Sequence, residues 1–171
     1  MLNIDQDELI EQLDLIPHEE GGYYSQTYKS QDEVKTEREH NNGVRCFSTC
    51  IYYMLTEGSP IGSFHKNLSP NLHFYHGGSP ITYRFIYPDG RAEEQILGPD
   101  VKNGHKLQLI VPADVWKSTE IGKDYPFGLV SEVVQPGWDE NDCILAEYDT
   151  LVALYPEHSE WIKQYSYDRE K

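Results

Sequence analysis

The feature that most restricts this chain is a change of hydrophobic period near residue 46. From there to about residue 136 apolar side chains recur at every second position in short runs, which is the spacing of strands and not of helices. The runs are CFSTCIYYML (46–55), NLHFYHG (71–77), ITYRFIYP (81–88), EEQILG (93–98), KLQLIVP (106–112) and FGLVSEVVQP (127–136), with ILAEYDTLVALY (144–155) weaker. Turn chemistry separates several of them. YPDGR (87–91) sets Pro-Asp-Gly between two runs, as a hairpin requires, and GGSP (77–80) and GPDVKNG (98–104) are further breaks. Many short strands in one domain predict an all-β sandwich or small barrel.

The flanks behave differently. DQDELIEQLDL (5–15) predicts a helix, with Asp5 as cap, Glu8 three residues on, and Leu9, Leu13 and Ile16 at helical spacing. Pro17 and the Gly21-Gly22 pair end it. Residues 29–43 are polar with almost no apolar anchor and predict a long loop, mobile or closing over something. PEHSEWIKQY (156–165) predicts a short helix with Pro156 in its first turn and Trp161 laid back on the barrel. The 171 residues suit a single domain, 1–171, with its core between about 16 and 155.

Charge removes several function classes. With 29 acids against 14 bases the formal charge is −15, and no Lys/Arg cluster exceeds two residues, so a surface that tracks nucleic-acid phosphates is not expected. No apolar run approaches the length of about eighteen residues that a membrane span needs. The first residues, MLNIDQDELIEQLDLI, carry acids where an export signal carries bases, so the expected location is cytoplasmic. Cys46, Cys50 and Cys143 fit neither redox-pair nor zinc-knuckle spacing and read as small buried hydrophobes.

HEEGGYYSQTYKS (18–30), SFHKNLSPNLHFYHGGSP (63–80), LGPDVKNG (97–104), VPADVWKS (111–118), VVQPGWD (133–139) and LVALYPEH (151–158) together resemble the successive blocks of the DUF985 (cupin_5) cupin family. The likeness covers about residues 9 to 162. It implies a double-stranded β-helix, the RmlC-like jelly roll, with short N- and C-terminal helices, often as a dimer. It does not choose a function, because the superfamily holds metal-dependent dioxygenases and decarboxylases, metal-free sugar epimerases and isomerases, and non-catalytic binding proteins.

The general cupin pattern sets two histidines, a glutamate and a later histidine around one metal. On this chain those positions correspond to Ser63 and His65, Asn71, and Lys117, while Gly78 takes the place of the closing glycine. Serine and asparagine are poor ligands, and lysine binds only after losing a proton at a pKa of about 10.4. No metal and no other cofactor is therefore expected; if one were held, His65, His73 and His76 would be the first ligands to consider. On a regular strand, however, 73 and 76 face opposite ways, whereas Asn71, His73 and Tyr75 share a side.

The mouth of a small jelly roll is its default ligand site. With the resemblance deciding which blocks line it, the binding candidates are Asn71, Arg84, Gln108, Trp116, Glu20, Tyr24 and Gln26. The candidates for chemistry are His65, His73, Tyr75 and Glu132. Arg84 and Glu132 are charges inside apolar strands, so they either pair with each other or serve a ligand. The expected partners are a small polar or anionic metabolite, possible examples being a sugar or nucleotide-sugar, and a second copy of the chain in a two-fold homodimer. Whether the protein is an enzyme stays open between a binding module and a metal-independent epimerase or isomerase. The feature that separates them is a histidine held by a carboxylate.

Overall fold

The computed structural model describes residues 5–167. Helix α1 (Gln6–Gln12) starts as expected, the Asp5 carboxylate accepting from the Asp7 N–H at 2.9 Å. Next come β1 (Ile16–Pro17), β2 (Tyr23–Lys29), β3 (Glu33–Lys35), β4 (Val44–Cys46), β5 (Thr49–Thr56) and β6 (Ile61–Asn67). They are followed by β7 (Asn71–Gly78), β8 (Ile81–Ile86), β9 (Ala92–Leu97), β10 (Gln108–Val111), β11 (Trp116–Ile121), β12 (Phe127–Val134) and β13 (Cys143–Leu145). Helices α2 (Tyr148–Leu154) and α3 (Ser159–Tyr165) complete the described chain.

The strands form two facing antiparallel sheets. One has the order β1-β2-β5-β12-β7-β10, the other β13-β6-β11-β8-β9, and β3-β4 is a separate hairpin. This is the jelly roll with short flanking helices. Tyr53, Leu55, Ile81, Tyr83, Phe85, Leu109 and Val130 fill the space between the sheets, each at most 4% exposed. Such burial stabilises the fold by about 25 cal/mol per Å² of apolar area withdrawn from water and is the main source of cohesion. Helices α2 and α3 cover the outside of the five-stranded sheet through Phe64, Ile86, Trp116, Leu151 and Ile162, and α1 covers part of the other through Leu9, Met54 and Leu129. Among the described residues no helix is long and apolar enough to cross a membrane.

Three expectations change. The polar stretch 29–43 is not an open loop: it carries β3 and a 3-10 turn at His40–Gly43, and β3 pairs with β4. Its anchors are charged instead of apolar. Arg38 and Arg45 both donate to the Asp142 carboxylate, Arg45 at 2.7 and 2.8 Å, and Arg38 also reaches Leu68 O and Ser69 Oγ. The run 144–155 divides into β13 and helix α2, since Leu151 buries at helical spacing against α3. Finally, β6 and β11 were not evident from period two. In both, nearly every side chain is buried, because the cavity lies on one side and the helical layer on the other. A strand wetted on neither face shows no alternation.

The YPDGR turn forms the expected hairpin, with Tyr87 N–H donating to Arg91 O at 2.9 Å and Gly90 at φ +83°.

Candidate functional site

A cavity of about 460 Å³ opens at the end of the sandwich, within the range of roughly 300–1,000 Å³ usual for small-molecule sites. β2, β5, β6, β7 and β12 supply its walls, together with the segment before β2 and Trp138 beyond β12.

Sheet register builds its floor. Glu132 on β12 and His73 on β7 are direct cross-strand partners, and Glu132 Oε1 lies 3.2 Å from His73 Nδ1. Lys117 comes from the opposite sheet, where it stands across from His65, and its Nζ reaches Glu132 Oε2 at 3.6 Å. Tyr83 Oη lies 3.0 Å from the same His73 nitrogen. Burial alone would raise the Glu132 carboxyl. The His73 N–H and the Lys117 charge outweigh it and hold the group well below the usual carboxylate range. Burial in turn lowers His73. An ionised carboxylate only accepts, so His73 Nδ1 carries the hydrogen and its buried, unpartnered Nε2 is the bare nitrogen.

A second histidine–carboxylate pair stands beside the first. His65 Nδ1 lies 2.9 Å from Ser63 O, which can only accept, so this nitrogen is a donor and Nε2 faces Glu20 Oε2 at 3.2 Å. Geometry alone would admit an ion pair. The pKa directions favour neutral partners: burial raises Glu20 to about 8 and pushes His65 well below its usual value. One proton therefore sits between Oε2 and Nε2, resting on the acid at neutral pH. Cys143 donates its thiol to Glu20 Oε1 at 3.5 Å, and burial, more than the Glu20 charge, drives its own pKa up.

Glu20 is placed by the double glycine that follows it. Gly21 and Gly22 take φ of +109° and +74°, and any side chain at Gly21 would collide with Ile61 O. The bend returns His18 to the cavity, where its Nδ1 accepts from the Glu20 backbone N–H at 3.1 Å. An N–H must donate, so neutral His18 carries its hydrogen on Nε2. Burial lowers the His18 pKa as well.

Of the residues singled out from sequence, His65, Asn71, Glu132, Glu20, Tyr24 and Gln26 line the cavity, and His73 lies behind Glu132. Four do not belong to it. Arg84 points out of the five-stranded sheet, paired with Glu94 and Glu120 at 3.1 and 3.0 Å and stacked on Tyr165, so it does not pair with Glu132. Trp116 packs beneath the C-terminal helices, with Lys66 over its ring. Gln108 is exposed on the outward side of β10. Tyr75 donates its hydroxyl to Gly78 O at 2.7 Å and is absent from the cavity wall. Sequence reasoning missed His18, Asn67, Tyr53 and Trp138, all in the wall, and the role of Lys117. The HEEGGYY block signalled His18 by proximity to Glu20.

The donor set does not fit the superfamily's metal. Lys117 brings a cation to a ligand position, and His65 Nε2 is engaged by Glu20. The Asn71 amide, in the orientation its surroundings favour, donates to Ser69 O and Pro70 O at 3.1 and 3.3 Å. His76 is exposed beside Tyr52, on the far side of β7 from buried His73. Among the described residues no three His, Cys, Asp or Glu side chains gather so as to hold an ion.

Comparison with known proteins agrees with this architecture. An uncharacterised protein of Saccharomyces cerevisiae, YML079W, is 39% identical over 145 residues, covering 79% of this chain and 72% of the yeast protein. A solved structure of a hypothetical protein from Leishmania major superposes with a TM-score of 0.89 at 30% identity, covering 96% of this chain and 99% of that one. Protein SO0799 from Shewanella oneidensis gives 0.83 at 28%, covering 95% and 98%. Oxalate decarboxylase from Bacillus subtilis, at 15% identity and a TM-score of 0.51, shares the fold alone. Residues 7–146 match the family model described as Cupin superfamily (DUF985), and the chain belongs to that family.

Proposed function

We propose that the protein binds a small polar metabolite in this cavity and moves a proton on it, as an epimerase or isomerase does without metal. The observation that carries the reading is the pair of carboxylate-held histidines at one cavity, Glu20–His65 and Glu132–His73.

The roles differ from those the motifs suggest. Tyr75 and His73 present no group to the cavity, so the acid–base work falls to Glu20, whose pKa of about 8 lies close to a neutral working pH. In its ionised form Glu20 removes a proton from a carbon next to a carbonyl. The C–H electron pair forms a C=C bond and the carbonyl π pair moves onto oxygen, which the His18 Nε2–H steadies. As the proton of the neighbouring hydroxyl shifts to that oxygen, Glu20 returns its proton to the former carbonyl carbon and the isomer forms, with His65 holding Glu20 in position. Glu132, kept ionised by its neighbours, orients the ligand by accepting hydrogen bonds.

The partner protein is a second copy of the chain. β1 covers only Tyr23 and Tyr24 of β2, which leaves the edge at residues 25–29 open for two-fold pairing.

The test is a thermal-shift screen of small carbonyl metabolites followed by proton NMR in deuterated solvent. Exchange of the proton next to the carbonyl, lost in Glu20→Gln and reduced in His65→Ala, is the expected result. A ligand that binds without exchange would leave a binding module instead.

A further inference from the structure

The cavity wall offers hydrogen-bonding groups but no fixed positive charge. Among the described residues no lysine or arginine lines it. The nearest cation, Lys117, is 3% exposed and already opposite Glu132. Arg84 and Arg45 are spent elsewhere, on Glu94 and Glu120 and on Asp142. His18, His65 and His73 are all held toward the neutral form by burial. An anion entering here would lose its hydration and meet the Glu132 carboxylate with no free countercharge, which low-dielectric surroundings make costly.

Acceptors, in contrast, are plentiful. Asn67 Oδ1 is buried with no partner, and Asn67 is only 8% exposed. Both Asn71 amide hydrogens are used on Ser69 O and Pro70 O, so only its carbonyl oxygen remains to offer. Glu132 retains lone pairs beyond those that meet His73 and Lys117. The wall residues also carry donors, namely the Tyr24 and Thr49 hydroxyls, the Gln26 amide, the Trp138 indole N–H and the His18 Nε2–H. Hydroxyl groups on a neutral molecule, which both donate and accept, satisfy such a wall. Flat and apolar area comes from Tyr24 and Ile51 inside and Trp138 at the mouth. Trp138 is 40% exposed, and its backbone N–H donates to Thr49 Oγ1 at 3.0 Å, which fixes the strand exit that carries the ring. An indole fixed beside polar acceptors suits a ring with hydroxyls on its rim and C–H bonds on its face.

We propose that the cavity selects an uncharged, hydroxyl-rich ligand of monosaccharide size with one carbonyl, and rejects the phosphorylated and carboxylated forms of the same compound. This rests on the cavity being the ligand site proposed above and deepens that reading by naming the substrate class.

The experiment is calorimetry on the full chain with three matched panels: free pentoses and hexoses, their phosphate esters, and the corresponding sugar acids. Expected is binding in the first panel only, weakened about tenfold in Trp138→Ala, as loss of apolar contact of that size implies. Trp138 is half out of the fold, and circular dichroism of the variant checks that it remains folded. Tighter binding of the esters, the acids or an amino sugar overturns the proposal, as does unchanged binding by folded Trp138→Ala or no binding in any panel. The proton-exchange measurement separates the two readings. Free sugars that bind without exchange leave this selectivity standing and remove the catalytic role, whereas exchange on a phosphate ester does the reverse.

Discussion

Glu132 and His73 stand opposite each other in the β12–β7 ladder, and the same carboxylate receives Lys117 from the facing sheet. One side chain thus ties the two halves of the sandwich together by charge in the region where the cavity replaces packed hydrocarbon. Removing it leaves a buried ammonium with no counterion.

Glu132→Ala should therefore cost about 3–5 kcal/mol in urea unfolding, the usual consequence of stranding one partner of a buried pair. Adding Lys117→Met to that variant should recover most of the loss. Two substitutions that simply add would show that the pair is not coupled.

Stability should fall as pH rises from 7.5 to 8.5. Glu20 keeps its proton in the folded protein up to about 8 but releases it at its ordinary 4.5 in the unfolded chain. Over that interval the folded state holds an extra proton, so raising pH favours unfolding. His18, His65, His73 and His76, all lowered, act in the opposite sense, but only until the unfolded imidazoles have lost their protons, about one unit above their ordinary 6.5. Between 7.5 and 8.5 the Glu20 contribution dominates, at about 0.7 kcal/mol. Chemical denaturation across that window should show the decline in the parent protein and a shallower profile in Glu20→Gln. A parent profile that rises would contradict the assignment.

Arg84→Met should leave ligand affinity unchanged and reduce stability by about 1–2 kcal/mol, through lost pairing with Glu94 and Glu120 and lost stacking on Tyr165. A variant that keeps its stability and loses ligand would return Arg84 to the site.

Asp142→Asn should loosen the β3–β4 hairpin. Its carboxylate receives Arg38 and Arg45, and Arg45 has only 1% of its side chain exposed. The expected readout is faster amide exchange over residues 33–46, together with destabilisation of about 3 kcal/mol. Unchanged exchange there would mean that backbone pairing alone holds the hairpin.

Light scattering at micromolar concentration should give twice the mass of one chain, with Thr27→Pro on the open edge of β2 shifting it toward the monomer. A parent protein of single-chain mass would rule out the edge-paired dimer.

Strands with one wet face, such as β8 with its PDG turn, were legible in the sequence because alternation and turn chemistry agreed. β6 and β11 were not, since burial on both sides erased the period, and those two strands bring His65 and Lys117. Arg84 was legible in principle: it alternates with Tyr83 and Phe85, both inside, so its own side is outward. The likeness to known blocks pointed to His65, Asn71 and Glu20 in the cavity wall, but the reach of Lys117 across to Glu132 depends on the spacing of two sheets. Periodicity carries no information about that distance.

The bend at Gly21-Gly22 has a mechanical side. Its backbone is fastened to both sheets at once, with Tyr53 Oη of β5 donating to Gly21 O at 2.9 Å and Ser63 N–H of β6 donating to Glu20 O at 2.7 Å. Glu20 is thus slung like a keystone between two walls. A guest that wedges the walls apart must lift the acid, and one that lets them close must lower it, so the breadth of the guest and the reach of its proton donor form a single adjustment.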